Sequence, residues 1–329
     1  MDLASTVYSP PRAKAPWRLE DLYAPAALRH FAYGRQALAE ALRLAGAAGK
    51  TVLVPAFVCR EVVSAVLAAG AKPAFYGVDD ALRPEEEPSR WPDAAAVLAV
   101  DYFGWPQDLA PYEAYARRTG AVVIEDAAHA LLSRDASGRL LGTRATLGVL
   151  SPRKSLPIPN GGTLIASASA RLQPQLPFEP VPGKRPALKA AARPFLALGG
   201  AKAALSVIAA FRAAKGAGRV DDAPAETAPC PELARPIAVA DARIEVSRRR
   251  ALWELCRNLT AKTAVPLFAS LPDGVAPYAF AFRAKDPAAA LGALADAGLA
   301  VLPWPELPDE IEPSAPERYR DVRLAHFLW

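Results

Sequence analysis

A carboxylate, an imidazole and an amine stand close along this chain, and together they could run amine chemistry. In Val122-Val123-Ile124-Glu125-Asp126-Ala127-Ala128-His129-Ala130 a buried apolar run delivers Asp126 to a strand end, and His129 follows three residues later, where it can face the same cavity. Taken alone, an acid at a strand end is more often a helix cap or a structural hydrogen-bonding group. It gains weight from Leu150-Ser151-Pro152-Arg153-Lys154-Ser155-Leu156, which leads to Asn160-Gly161-Gly162-Thr163-Leu164. One lysine thus lies between a strand and a glycine pair that lets the backbone come close to another group. A partly desolvated lysine holds a neutral amine that can attack a carbonyl, whereas a surface lysine is the bland alternative. The third piece is Gly34-Arg35-Gln36-Ala37-Leu38, a glycine before a helical pattern. Backbone N–H groups at a helix start, with an adjacent arginine, suit a phosphate; an ordinary turn is the competing reading.

These pieces need elements that bring them together. From about Gly34 to Ala166 short apolar runs alternate with helical stretches, the pattern of βαβ units around a mainly parallel sheet. The spacing predicts a helix over Phe31–Leu44, strands at Thr51–Pro55, Pro73–Val78, Ala94–Val100 and Ala121–Ile124, and helices at Glu61–Ala69 and Leu109–Thr119, closed by Gly70 and Gly120. Ligands of such sheets bind beyond the carboxyl ends of the strands, so Asp101 and Glu125-Asp126 lie where chemistry is expected. Further on, a helix at Ala242–Leu259, a strand at Tyr278–Phe282, a helix at Pro287–Ala297 and a strand at Leu299–Leu302 predict a smaller α+β domain. The expected organisation is an N-terminal arm over 1–33, a large α/β domain over 34–220 with an Ala/Pro/basic helical segment from about 184, and a linker with the small domain over 221–329.

Composition narrows the function classes. With 329 residues, 52% of them hydrophobic, the chain can bury a sizeable core. Its three cysteines make no CxxC pair and its three histidines show no HExxH spacing, which argues against a disulfide scaffold and against a bound metal. A net charge of +5 with scattered basic residues is a weak footprint for nucleic acid. No apolar run is long enough to span a bilayer and no leader is evident, so the expected location is cytoplasmic. Ala187–Ala214 is apolar with lysines and arginines and no acid; it reads as an Ala-rich packing helix, or as peripheral contact with anionic lipid. Trp304, between two prolines, reads as a packing residue. Arg248-Arg249-Arg250 reads as an exposed helix face, and Cys59 as an inert buried thiol.

The ordered set Gly34-Arg35-Gln36-Ala37-Leu38, Val54-Pro55-Ala56-Phe57, Ala69-Gly70-Ala71-Lys72-Pro73, Asp101-Tyr102-Phe103-Gly104-Trp105-Pro106, Glu125-Asp126-Ala127-Ala128-His129-Ala130 and Lys154 before Gly161-Gly162 resembles the DegT/DnrJ-type aminotransferases over roughly residues 30–167. The resemblance implies fold type I, a large domain with a mainly parallel sheet flanked by helices plus a smaller α+β C-terminal domain, and the cofactor pyridoxal 5′-phosphate. It implies that Lys154 forms the Schiff base and shuttles the proton, that Asp126 pairs with the pyridinium nitrogen, and that His129 lies near the phenolic oxygen. Ser151 resembles a phosphate-contacting serine, and Gly34, Arg35 and Gln36 the phosphate loop. The ring-stacking position falls at Cys59, with Phe57 nearby as a substitute. The implied activity is transfer of an amino group from glutamate to a keto sugar nucleotide or related ketone in polysaccharide or glycoconjugate synthesis, by a homodimer. Departures from the pattern keep other readings open. Only Pro152 and Arg153 separate Ser151 from Lys154, Asp101 stands where histidine is common, and Arg235-Pro236-Ile237-Ala238 is the nearest match to an aromatic-Asn-Arg segment. The chain also stops at His326-Phe327-Leu328-Trp329, earlier than the family's usual C-terminal region. The alternatives are a non-catalytic regulator or assembly subunit, and an aminotransferase acting on a lipid-linked acceptor at the membrane.

Overall fold

A computed structural model describes residues 12–158, 160–167, 233 and 235–327. The segment Ala187–Ala214 and the predicted linker lie outside the described residues. Seven strands make the larger sheet: β1 (Ala27–Phe31), β2 (Thr51–Pro55), β3 (Lys72–Tyr76), β4 (Ala96–Val100), β5 (Val122–Asp126), β6 (Leu147–Leu150) and β7 (Gly162–Ala166). Their spatial order is β1-β7-β6-β5-β4-β2-β3. The block from β6 to β3 is parallel, and β7 runs antiparallel to both β6 and β1. Every residue of β4 is buried, as a continuous apolar run should be in a sheet covered on both faces. Residues 27–31, within the expected N-terminal arm, are the β1 edge of this sheet.

The helices follow the apolar spacing. After α1 (Leu19–Tyr23), α2 (Gly34–Leu44) buries Ala37, Leu38, Ala41 and Leu42 along one stripe. The predicted helix over Phe31–Leu44 starts late because Tyr33 is extended and the Gln36 side chain accepts its backbone N–H at 3.1 Å, which fixes the cap there. Two further helices are α3 (Arg60–Ala68) and α4 (Ala110–Thr119), the latter ended by left-handed Gly120. Gly162 shows what the glycine pair is for: a Cβ there would run into the backbone of Tyr33 and Gly34, so β7 can lie against the start of α2 only with glycine.

The second sheet is antiparallel, with β8 (Ala264–Pro266), β9 (Ala279–Ala284), β10 (Val301–Pro303) and β11 (Val322–His326) in the order β10-β11-β9-β8. The helices of this part are α5 (Ala242–Leu259), α6 (Pro287–Asp296) and α7 (Glu317–Arg320), the first two capped by Asp241 and Asp286 side chains. One hydrophobic cluster runs from Leu53, Val97 and Tyr112 to Phe280, Phe282 and Leu324, so the two sheets share a core. The fold class read from the sequence is the one observed.

The basic run on α5 requires a correction. Arg248 and Arg249 are buried rather than exposed, because Glu245, one turn earlier, accepts from both: 2.8 and 2.6 Å from Arg248 and 2.6 Å from Arg249. No helix among the described residues is long and apolar enough to cross a membrane.

Candidate active site

A cavity of about 230 Å³ opens at the carboxyl ends of β4, β5 and β6, against the start of α2 and the second sheet. Lys154 reaches it from a short 3-10 turn, Pro152–Lys154, that follows β6. Its Nζ lies 2.9 Å from His129 Nε2. Burial lowers the lysine's proton affinity and the neighbouring Arg153 charge adds to that, while Cys59 and Asp126 pull the other way. Burial, helped by the Lys154 charge, holds His129 well below the usual imidazole range, so a neutral imidazole faces the lysine. The imidazole is clasped between Tyr278, at 4.5 Å and 3° from parallel, and Phe103, at 5.5 Å and 10°. His129 Nδ1 is buried without a partner.

Asp126 ends β5 and is buried, with Oδ1 accepting from the Ala128 N–H at 3.0 Å. Burial raises its pKa; the Ala128 N–H and the Lys154 charge restrain the rise. Its neighbour Glu125 points to the other face, as successive strand residues must. There Arg144 binds Glu125 Oε1 through Nε and Asp101 Oδ1 through Nη2, each at 2.6 Å. The expectation that Asp101 and Glu125 lie at the chemistry is therefore corrected: both are fully buried in an ion cluster away from the cavity lining.

At the opposite wall a Cβ on Gly34 would stand 3.3 Å from Ser151 Oγ, so the first turn of α2 and the serine form one tight cup. The first backbone N–H groups of a helix have no intrahelical partner and favour an anion. Arg35 and Arg153 line the same space.

Of the residues read from the sequence, Lys154, Asp126, His129, Gly34, Arg35, Ser151 and Cys59 meet around this cavity. Gln36 and Phe57 do not line it. The Gln36 side chain is spent on the α2 cap, and the Phe57 ring is buried 5.0 Å from both Trp304 and Tyr319. The Cys59 thiol is pushed up to about 12, by burial first and then by the Glu61 charge, which keeps it protonated. Tyr33, Glu61, Arg153, Tyr278 and Trp304 are among the cavity residues that the sequence reading did not assign to the site. Trp304 both packs and lines: its ring is 4.8 Å from Phe103 and 5.6 Å from His129.

Residues 30–174 match the DegT/DnrJ/EryC1/StrS aminotransferase family. A UDP-N-acetyl-3-dehydro-alpha-D-glucosamine 3-aminotransferase of Acidithiobacillus ferrooxidans is 34% identical over 152 residues, 44% of this chain and 41% of that protein. A pleiotropic regulatory protein of Geobacillus stearothermophilus is 30% identical over 160 residues, 46% of this chain and 43% of that protein. The chain thus spans less than half the length of the curated relatives it matches. Among solved structures, S. venezuelae DesV in complex with a ketimine intermediate shares the fold with a TM-score of 0.59 at 20% identity, covering 99% of this chain and 87% of that one.

Proposed function

We propose that this chain, whose residues 30–174 belong to the DegT/DnrJ/EryC1/StrS aminotransferase family, is a pyridoxal-phosphate-dependent aminotransferase that moves an amino group from glutamate to a keto sugar nucleotide or related ketone. The observation that carries this reading is the convergence of Lys154, His129 and Asp126 in one cavity that faces the Gly34–Ser151 cup.

The residues fit the cofactor. A buried carboxylate at the end of β5, a lysine of lowered proton affinity and a cup of donors match a pyridine nitrogen, an aldehyde and a phosphate in turn. When bound, pyridoxal phosphate supplies a carbonyl for amines and a ring that withdraws electrons from the substrate α-carbon. Lys154 Nζ acts as nucleophile and then as the base that takes and returns a proton. His129 Nε2, 2.9 Å away, orients that amine by a hydrogen bond. Asp126 holds its negative charge toward a protonated ring nitrogen, which removes the penalty of a buried lone carboxylate. Ser151 Oγ and the α2 N-terminus anchor the phosphate. Tyr278 and Trp304 wall the cavity on the His129 side. The domain division at about residue 220 and the homodimer belong to the same proposal.

One observation favours a second reading, a regulator or assembly subunit without turnover. Cys59 occupies the place where the resemblance puts a stacking aromatic, and Phe57 is buried in the core instead of replacing it. Visible absorption of the protein with pyridoxal phosphate, before and after glutamate, separates the two. The aminotransferase gives a band that bleaches with glutamate in the wild type and is absent in Lys154→Ala. A band that ignores every amino donor establishes the second reading, and no band at all removes the first.

A further inference from the structure

Two arginines line the cavity, and among the described residues no acid forms an ion pair with either. Arg35 is the second residue of α2 and Arg153 directly precedes Lys154. Their guanidinium carbons lie 4.9 and 5.5 Å from the centroid of the Tyr33 ring, so two like charges rest on one aromatic face or its edge. Among the described residues neither joins an ion pair, and the Nε atom of each is buried with no hydrogen-bond partner. The other acids at the cavity are engaged elsewhere: Glu61 with the Cys59 thiol, Glu306 near Arg60 at 3.9 Å, and Asp126 with the Ala128 N–H.

Like charges brought together in a partly buried site are unfavourable unless an anion joins them. The surroundings are donors: two guanidinium forks, the first N–H groups of α2 and the Ser151 hydroxyl beside Gly34. Guanidinium forks match the oxygens of a phosphate group in a bidentate manner that a lysine does not. Tyr33 supplies what pre-organisation requires, a fixed ring against which both long side chains lie.

We propose that Arg35 and Arg153, held on Tyr33, form a clamp for a phosphate ester. Arg153 thereby becomes a binding residue, and Gln36 is released from that role by its capping bond. The ester has two sources under the function proposed above, on which this inference rests only for naming them: the cofactor's phosphate monoester, or the diphosphate of a nucleotide-linked acceptor.

Fluorescence titration of the full chain tests it with four probes: pyridoxal phosphate, pyridoxal, UDP and inorganic phosphate, each against the wild type, Arg35→Gln, Arg153→Gln and Arg153→Lys. The clamp predicts that each glutamine variant binds a phosphorylated probe roughly 10- to 100-fold more weakly. Binding of pyridoxal is unchanged, Arg153→Lys falls between, and inorganic phosphate competes with the affected probe. Loss confined to pyridoxal phosphate assigns the clamp to the cofactor, and loss confined to UDP assigns it to the acceptor. An equal loss for pyridoxal and pyridoxal phosphate would mean a loosened pocket, and unchanged affinities would mean no clamp; either result overturns the proposal. If the wild type gives no absorption band with pyridoxal phosphate yet the variants still lose UDP or phosphate, the proposed reaction falls and the clamp stands.

Discussion

Arg144 and Arg153 lie on either side of the same strand, β6, and they are built for opposite ends. Arg144 is buried between two carboxylates, with Nε on Glu125, Nη2 on Asp101 and Nη1 on the Gln107 carbonyl at 2.9 Å. Arg153 lines an open cavity, has a buried Nε with no acceptor and rests on an aromatic ring. The same contrast separates the two carboxylates of β5, since Glu125 is consumed by Arg144 while Asp126 faces Lys154 and the cavity. A buried polar group that is already satisfied holds the fold together, whereas one left unmet in a concave site marks where a ligand completes the protein.

If that contrast is sound, removing the two arginines has unlike consequences. Arg144→Met leaves two fully buried carboxylates without their counter-charge, a change expected to cost about 3–5 kcal/mol of folding stability. Arg153→Met removes no ion pair and is expected to stay within about 0.5 kcal/mol of the wild type. Denaturant unfolding of the two variants measures both, and equal losses would erase the distinction.

A middle case sharpens it. Arg249 is a satisfied arginine that nonetheless touches the site: Nη1 donates to the Pro277 and Tyr278 carbonyls at 3.1 Å, and Nη2 to the Ser155 carbonyl at 3.0 Å, next to Lys154. It therefore holds the backbone on both sides of the Lys154–His129–Tyr278 contact. Arg248 shares Glu245 but donates its other bond to the Phe327 carbonyl, away from the cavity. Replacing either with lysine should destabilise by a similar amount, about 1–3 kcal/mol. Only Arg249→Lys should move the pH at which Lys154 becomes reactive, read by competitive acetylation and mass spectrometry. Identical Lys154 profiles in the two variants would make Arg249 a packing residue alone.

How far these regions could be read from the sequence follows from what specifies each. The parallel strands were legible because continuous apolar runs such as Ala96–Val100 are bounded by turns, and Asp126, His129 and Lys154 were legible because strand ends and glycine pairs fix where side chains can go. β6 was read only as a strand of unstated bounds before Lys154, and β7 was not read as a strand. Gly148 lies in β6 because a Cβ there would strike the Gly142 carbonyl, a contact made by fold rather than by pattern. Tyr278 and Trp304 reach the cavity from the second sheet, and no local periodicity announces a wall contributed from so far along the chain. The buried run on α5 did leave a signal, since Glu245 stands three and four residues before Arg248 and Arg249, the spacing of a helical ion pair. The two faces of β5 were likewise implicit in strand alternation; what the sequence lacked was the position of Arg144, nineteen residues on, which decides which carboxylate is spent.

The smallest expected effect is the one most specific to the cavity. Burial raises the pKa of Asp126 above its ordinary 3.8, so the folded cofactor-free protein keeps a proton there that the unfolded chain has already lost. Stability contributed by this group is present below pH 3.8, falls as pH rises through the folded value and is constant above it. Asp126→Asn carries no such proton. The variant should therefore gain on the wild type by up to about 1.4 kcal/mol for each pH unit between the two values, and should be the more stable protein at neutral pH. Asp101, raised by burial in both proteins, cancels from the difference. Thermal melts of the two cofactor-free proteins from pH 4 to pH 8 check the sign. A gap that widens with pH and closes when pyridoxal phosphate is added to the wild type means the carboxylate is held unpaired for a ligand, as Glu125, already bound to Arg144, is not. A flat difference would place Asp126 with the satisfied groups and dissolve the contrast across β5.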